Sequence, residues 1–158
     1  MQTFLPYNDY YKSAKVLDRQ RLGKQRVEVL QLLNSIRKIK NGEPIRGWKN
    51  HPCRKMWQNY SNALVEYGQA VCKAWKERGY KDTCYEKITA HYDNKNQTIT
   101  PPFMGNNIFH ESHRSMLTQK NSSWYKKLWP STPDNLEYYW PEESPTHPSP
   151  EGPSNRDR

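Results

Sequence analysis

Trp57, Tyr60, Leu64, Tyr67, Val71 and Trp75 recur at the three- and four-residue spacing of one helical face, and four of the six are aromatic. This stripe predicts a helix from about Arg54 to Arg78, with Gly79 as its stop. It also fixes what kind of core the chain can build. Only 34% of the residues are hydrophobic, yet there are 6 Trp, 11 Tyr and 3 Phe. The interior must therefore be aromatic, with many rings half buried and their polar ends turned to water. At 158 residues the chain makes one domain and at most an appendage.

Two further helices follow from the same periodicity. One runs from about Ser13 to Lys40, with Leu22, Val29, Leu33 and Ile36 in step and Asn41-Gly42 as the stop. The other opens near Asn106-Asn107 and carries Ile108, Phe109, His113, Met116 and Leu117 to about Lys120. No stretch predicts a strand. Residues 124–141, aromatic and broken by proline, are expected to pack irregularly over the helices. The fold class expected is all-α: a small single-domain bundle of three main helices over residues 1–141. Residues 142–158 hold four prolines and no aromatic or aliphatic side chain. Such a segment buries too little surface to offset its ordering entropy, which predicts a disordered tail.

The charge identifies the partner. Residues 1–141 keep 23 Lys and Arg against 12 Asp and Glu, so the folded part is the basic part. Basic charge with abundant aromatic rings suits a nucleic acid, since lysines meet phosphates and rings receive the faces of unstacked bases. Trp124-Tyr125-Lys126-Lys127 places both kinds of group side by side. A basic loop between the first two helices adds Arg46 and Lys49 around Trp48. No apolar run reaches the length of a membrane span, and the start of the chain lacks a signal peptide's basic and apolar regions. Cys53, Cys72 and Cys84 form no Cys-x-x-Cys pair, so a disulfide framework is not expected. The cysteine pattern predicts a reducing, cytoplasmic compartment, and a monomer is expected.

Several residues could carry chemistry. Asp18, Arg21, Gln25 and Glu28 share one face of the first helix, with Arg19 and Arg26 on another flank. Two readings stand side by side: a solvated face laced with ion pairs, or cations aimed at phosphates around one or two carboxylates. Gly23, in mid-helix, costs about 1 kcal/mol relative to alanine, which marks either a close packing partner or a tolerated weak spot. His110-x-x-His113 puts two imidazoles on one face, but a metal needs two or three more ligands, and none is evident. No metal or other cofactor is expected. His113 falls on the apolar face as a hydrogen-bonded core histidine. His110, nearer the edge, is the candidate for touching phosphate or substrate, and His51 either holds the entry to the second helix or lines a cleft.

In order and spacing, these motifs resemble the pyrimidine-dimer DNA glycosylases of the endonuclease V type, over roughly residues 1–141. Leu17 through Val27 sits where that family has its arginine-bearing first helix. Asn50-His51-Pro52 through Arg78-Gly79-Tyr80 looks like its second helix, and His110-Glu111 like the start of its third. Trp124-Tyr125-Lys126 matches a segment near the family's C-terminus. The opening Met-Gln-Thr-Phe-Leu-Pro resembles bacterial and viral proteins grouped with the family. The resemblance implies an all-α fold and a glycosylase with AP-lyase activity. In the family, an N-terminal α-amine attacks C1′ of the damaged nucleotide and forms a Schiff base, and elimination then cuts the strand. With a pKa near 7.7–8.0, such an amine is partly neutral and nucleophilic at physiological pH.

Two departures follow. The family's amine belongs to a small residue exposed by loss of the initiator Met, whereas Gln2 is bulky, so the amine here would be that of Met1. The family's glutamate lies in an Arg-Glu-Leu-Pro-Arg stretch, against which this chain reads Leu22-Gly23-Lys24-Gln25-Arg26. Only Arg26 carries over, and Gly23 takes the carboxylate's place. The substitutes are Asp18 and Glu28, each about 140° around an ideal helix from Gly23.

The expected function is thus a DNA repair glycosylase and lyase acting on damaged or modified pyrimidines, with pyrimidine dimers the lesion the resemblance implies. Its catalytic candidates are Met1, Asp18, Glu28, His51 and His110. DNA-binding candidates are Arg19, Arg21, Lys24, Arg26, Arg46, Lys49, Arg54, Lys55, Arg114, Trp124, Tyr125, Lys126 and Lys127. One alternative is a DNA-binding protein that has lost catalysis on the same scaffold. Another is a base N-glycosidase that activates water with Asp18, Glu28 and the histidines and forms no covalent intermediate.

Overall fold

The computed structural model describes residues 2–45 and 50–141, and seven helices form among them. They are α1 (Tyr10–Lys15), α2 (Arg19–Lys40), α3 (Pro52–Trp57), α4 (Ser61–Glu77), α5 (Tyr85–Thr89), α6 (Asn107–Lys120) and α7 (Ser122–Leu128). No strand occurs among the described residues, and the fold is all-α as expected. Met1, Arg46, Lys49 and the 142–158 tail lie outside the described residues.

Two of the expected helices are broken, each for a reason beyond local propensity. The first divides at Val16 to Asp18. Asp18 is extended (φ −64°, ψ 161°), and its N–H donates to the Tyr125 hydroxyl at 2.8 Å rather than to an earlier carbonyl. Arg78, from the far end of α4, then takes the carbonyls of Lys15 and Leu17 left open there. The second divides at Gln58 to Tyr60. His51 caps the short α3 by accepting from the Cys53 N–H, and Pro52 occupies the first turn, where its missing N–H costs nothing. α6 matches its expected start and end, with Asn106 accepting from the N–H groups of Ile108 and Phe109. The segment after it is more regular than expected, because Asn121 ends α6 and caps α7.

The long α2 packs on α4, with α1 on one side of α4 and α5 closing over the crossing. The apolar face of α2 (Leu22, Val29, Leu32, Leu33, Ile36) meets Leu64, Tyr67 and Val71 of α4 in one buried core. Gly68 permits this approach: a Cβ there would lie 2.8 Å from Val29 and 2.9 Å from Ile88. The aromatic core forms as the stripe predicted. Trp57 stacks on Tyr67 at 6.2 Å between centroids, and Phe103 meets the Trp57 ring edge-on at 5.0 Å. Beyond α7, residues 136–139 lie along α6, with the N–H groups of Leu136 and Tyr139 donating to Ser115 and Ser112. That is why two serines of α6 are fully buried. No helix among the described residues is long and apolar enough to cross a membrane.

Candidate active site and nucleic-acid face

Chain termini usually fray, but here the first residues are threaded between α2, α4 and α6 and bonded at nearly every polar group. Gln25, with no exposed surface, donates through Nε2 to the Gln2 carbonyl (2.9 Å) and accepts at Oε1 from the Phe4 N–H (2.7 Å) and the Tyr67 hydroxyl (2.8 Å). The Tyr67 hydroxyl also lies 2.7 Å from the Phe4 carbonyl. Trp57 Nε1 donates to the Thr3 hydroxyl, Arg114 to the Pro6 carbonyl, and the Gln2 amide reaches the Met116 sulfur.

His110-x-x-His113 completes this restraint. His113 Nδ1 accepts the Leu5 N–H at 2.9 Å, so its proton sits on Nε2 and points to the Tyr138 hydroxyl. His110 Nε2 accepts the Gly105 N–H, so its Nδ1–H donates to the Leu5 carbonyl at 2.7 Å. The two histidines therefore hold both backbone polar groups of Leu5. Burial, with the His110 charge adding, pushes the His113 pKa down to about 3, and burial likewise lowers His110. Among the described residues, no three His, Cys, Asp or Glu side chains gather as metal ligands.

This scaffold leads to Glu28. The Gln25 nitrogen that holds the Gln2 carbonyl also donates to Glu28 Oε1 at 3.2 Å, so residue 2 and Glu28 share one hydrogen-bonding partner. Burial raises the Glu28 pKa above its ordinary value; Lys24, the charge at the chain's N-terminus and the Gln25 bond oppose this without cancelling it. His51 is held below its usual value by burial, and the same N-terminal charge adds to the effect. Its Nδ1 accepts from Cys53, which puts the proton of the neutral ring on Nε2, and Trp140 meets the ring edge-on at 6.2 Å. The charges of the N-terminus and Glu28 both reach Cys53, whose thiol burial pushes up to about 12. Gln2, Gln25, Glu28, Lys24 and His51 thus form one polar neighbourhood.

Other candidate residues fall elsewhere. Asp18 is ten residues before Glu28, about 15 Å along α2. Its carboxylate is buried, pairs with Arg21 at 3.3 Å and accepts from Tyr125 at 2.5 Å. His110, expected at an edge facing phosphate or substrate, is 3% exposed, with both ring nitrogens committed to backbone. Tyr125, expected to stack or wedge, has no exposed surface; its ring stacks on Trp129 at 5.4 Å. Its neighbour Trp124 is 43% exposed, with the indole N–H fixed to the Val16 carbonyl at 2.8 Å. Alternation around α7 separates these adjacent rings, which composition does not reveal.

Arg26 is likewise no phosphate contact. It pairs with the buried Asp82 at 2.6 Å and lies over the Trp75 ring, whose other neighbour is the stacked Tyr80. Burial alone would raise the Asp82 carboxyl, but bonds from Arg26 and from the Tyr85 and Cys84 N–H groups leave it below its ordinary value. Arg54 is buried and donates to Gln58, while Arg114 is committed to Pro6. Arg19, Lys24, Lys126 and Lys127 remain exposed, and Arg21 and Lys55 partly so. Gln25, which was not among the catalytic or DNA-binding candidates, is the residue that links the N-terminal segment to Glu28. Its place on the Asp18–Glu28 face was the available signal, but the sequence could not show that the N-terminal segment runs across that face.

The helical domain thus holds residues 2–6 by hydrogen bonds, with the half-buried Glu28 carboxylate sharing one of their partners. The family model described as pyrimidine dimer DNA glycosylase matches residues 1–87, more than half of the chain, and the chain belongs to that family. Neither the curated proteins nor the solved structures hold a match to the chain.

Proposed function

We propose that this protein is a DNA glycosylase with AP-lyase activity, in which the Met1 amine attacks C1′ of a damaged pyrimidine nucleotide and Glu28 supplies the carboxylate. The observation that carries the reading is the Gln25 bridge, which joins the Gln2 carbonyl and Glu28 through one nitrogen. The Met1 Cα lies one peptide step, about 3.8 Å, from that of Gln2. The neutral amine displaces the base by forming a C1′–N bond as the glycosidic bond breaks. The open-chain Schiff base that follows loses a C2′ proton and the 3′ phosphate. A carboxyl that burial holds above its ordinary pKa binds and returns a proton more readily than a free glutamate, which suits Glu28 to both steps. Gly23, where the family's glutamate would fall in linear register, instead lies beneath Trp75. Lys24, Arg19, Arg21, Lys126 and Lys127 supply cations for phosphates, and Trp124 an exposed ring.

The water-using alternative relies on Asp18, Glu28 and the histidines, but Asp18 lies about 15 Å along α2 from Glu28 and His110 is committed to backbone, so neither joins Glu28. Borohydride trapping on an abasic-site duplex tests the proposal. A covalent adduct is expected with a free N-terminus and none with an N-terminally extended chain. Equal trapping by both forms, or by neither, contradicts it.

A further inference from the structure

A groove of about 570 Å³ lies between the end of α2, the α3–α4 turn and the loop at residues 96–99. Lys40, Lys55, Asn59, Tyr60, Gln97 and Ile99 line it, and none of its described lining residues is acidic. Its wall is built in advance: Asn62 donates to the carbonyls of Asp93 (3.0 Å) and Asn96 (3.3 Å) and accepts from the Asp93 N–H (2.9 Å). Ile99 is 57% exposed in this polar setting, which burial in the protein's own core does not explain. Cations, neutral amides, a ring and an aliphatic surface in one concavity are the groups that a nucleotide's phosphate, base edge and base face require.

We propose that this groove holds a nucleotide of the DNA flanking the reaction site. Lys40 and Lys55 take its phosphates, Tyr60 and Ile99 cover the base, and Asn59 and Gln97 meet the base edge. The inference rests on the DNA reading above and extends it to a second site. Continuity with the first site supports it. α3 starts at Pro52, between His51 and Cys53, both of which feel the N-terminal charge, and Lys55 lies one helical turn beyond His51, about 6 Å along the axis. That is about two base-pair rises of a duplex strand.

The test uses the full chain with a fluorescent abasic-analogue duplex, by anisotropy across a salt series, together with borohydride trapping on a true abasic duplex. Lys40→Ala should reduce the slope of log K against log salt by about 0.9. Asn59→Ala and Gln97→Ala should each weaken binding about two- to tenfold. Lys87→Ala, an exposed change on α5, should leave affinity as in the parent. Unchanged slope and affinity in all three groove variants, with trapping intact, would overturn the groove and spare the amine chemistry. Weakened binding by the groove variants in a parent that forms no adduct would support the groove and remove the amine chemistry. A parent that binds no DNA would remove both.

Discussion

All four hydrogen-bonding positions of the Gln25 amide are used, two by the first residues of the chain, one by Tyr67 and one by Glu28. An apolar residue of similar size leaves the Phe4 N–H and the Gln2 carbonyl buried without that partner. Gln25→Leu should therefore cost about 2–4 kcal/mol in urea denaturation. It should also slow Schiff-base formation, because the Gln2 carbonyl next to the proposed nucleophile loses its partner. Glu28→Gln keeps the shape and removes the titrating group. It should lower turnover by about 10²-fold or more and remove the carboxyl's contribution to the acidic limb of the pH–rate profile, leaving that of the amine. Asp18→Asn should mainly affect stability. Loss of turnover on Asp18→Asn equal to that of Glu28→Gln, in steady-state kinetics, would reverse the assignment.

At the scale of elements, charged residues on α2 divide between structure and partner in a way that exposure decides. Arg26→Met leaves the buried Asp82 carboxylate without its ion partner, and should cost about 3 kcal/mol. It should leave the salt slope of DNA binding unchanged. Gly23→Ala gains about 1 kcal/mol of helix propensity. However, its Cβ would stand 2.8 Å from a Trp75 ring fixed by Arg26, Tyr80 and the Lys81 carbonyl. Overpacking of this kind typically costs 1–3 kcal/mol, so the thermal midpoint should fall. The close partner that a mid-helix glycine suggests is thus Trp75. Helix existence, the aromatic core and the stops at Gly42 and Gly79 were legible in the sequence, because periodicity and left-handed glycines are local signals. The breaks at Asp18 and Gln58–Tyr60 were not, because at Asp18 a tyrosine 107 residues away supplies the bond that ends the helix.

The whole molecule is organised around holding its first residues still, and that has a pH signature. His51, His91, His110 and His113 are all held below their ordinary values, chiefly by burial. The unfolded chain therefore binds more protons than the fold in acid. Their stabilising contribution is full above about pH 6.5 and is lost as pH falls, for His113 through about 3. Glu28 acts in the opposite sense, since its raised carboxyl binds a proton more tightly in the fold. Thermal midpoints should fall steadily from pH 7 to pH 4, and His113→Phe, although less stable at pH 7, should show a shallower decline. The family relation and basic charge were visible in composition and motif order. What the sequence alone could not provide is the path of residues 2–6, which brings Gln2, Gln25 and Glu28 together and on which the proposal of Glu28 as the carboxylate rests.

The most direct test of that account is to locate the covalent bond. Borohydride-trapped complex, digested with nuclease and trypsin, should carry the sugar remnant on the N-terminal peptide, residues 1–12, at the α-amine. A remnant on any lysine side chain, or a chain that cleaves abasic DNA without a trappable bond, would contradict it.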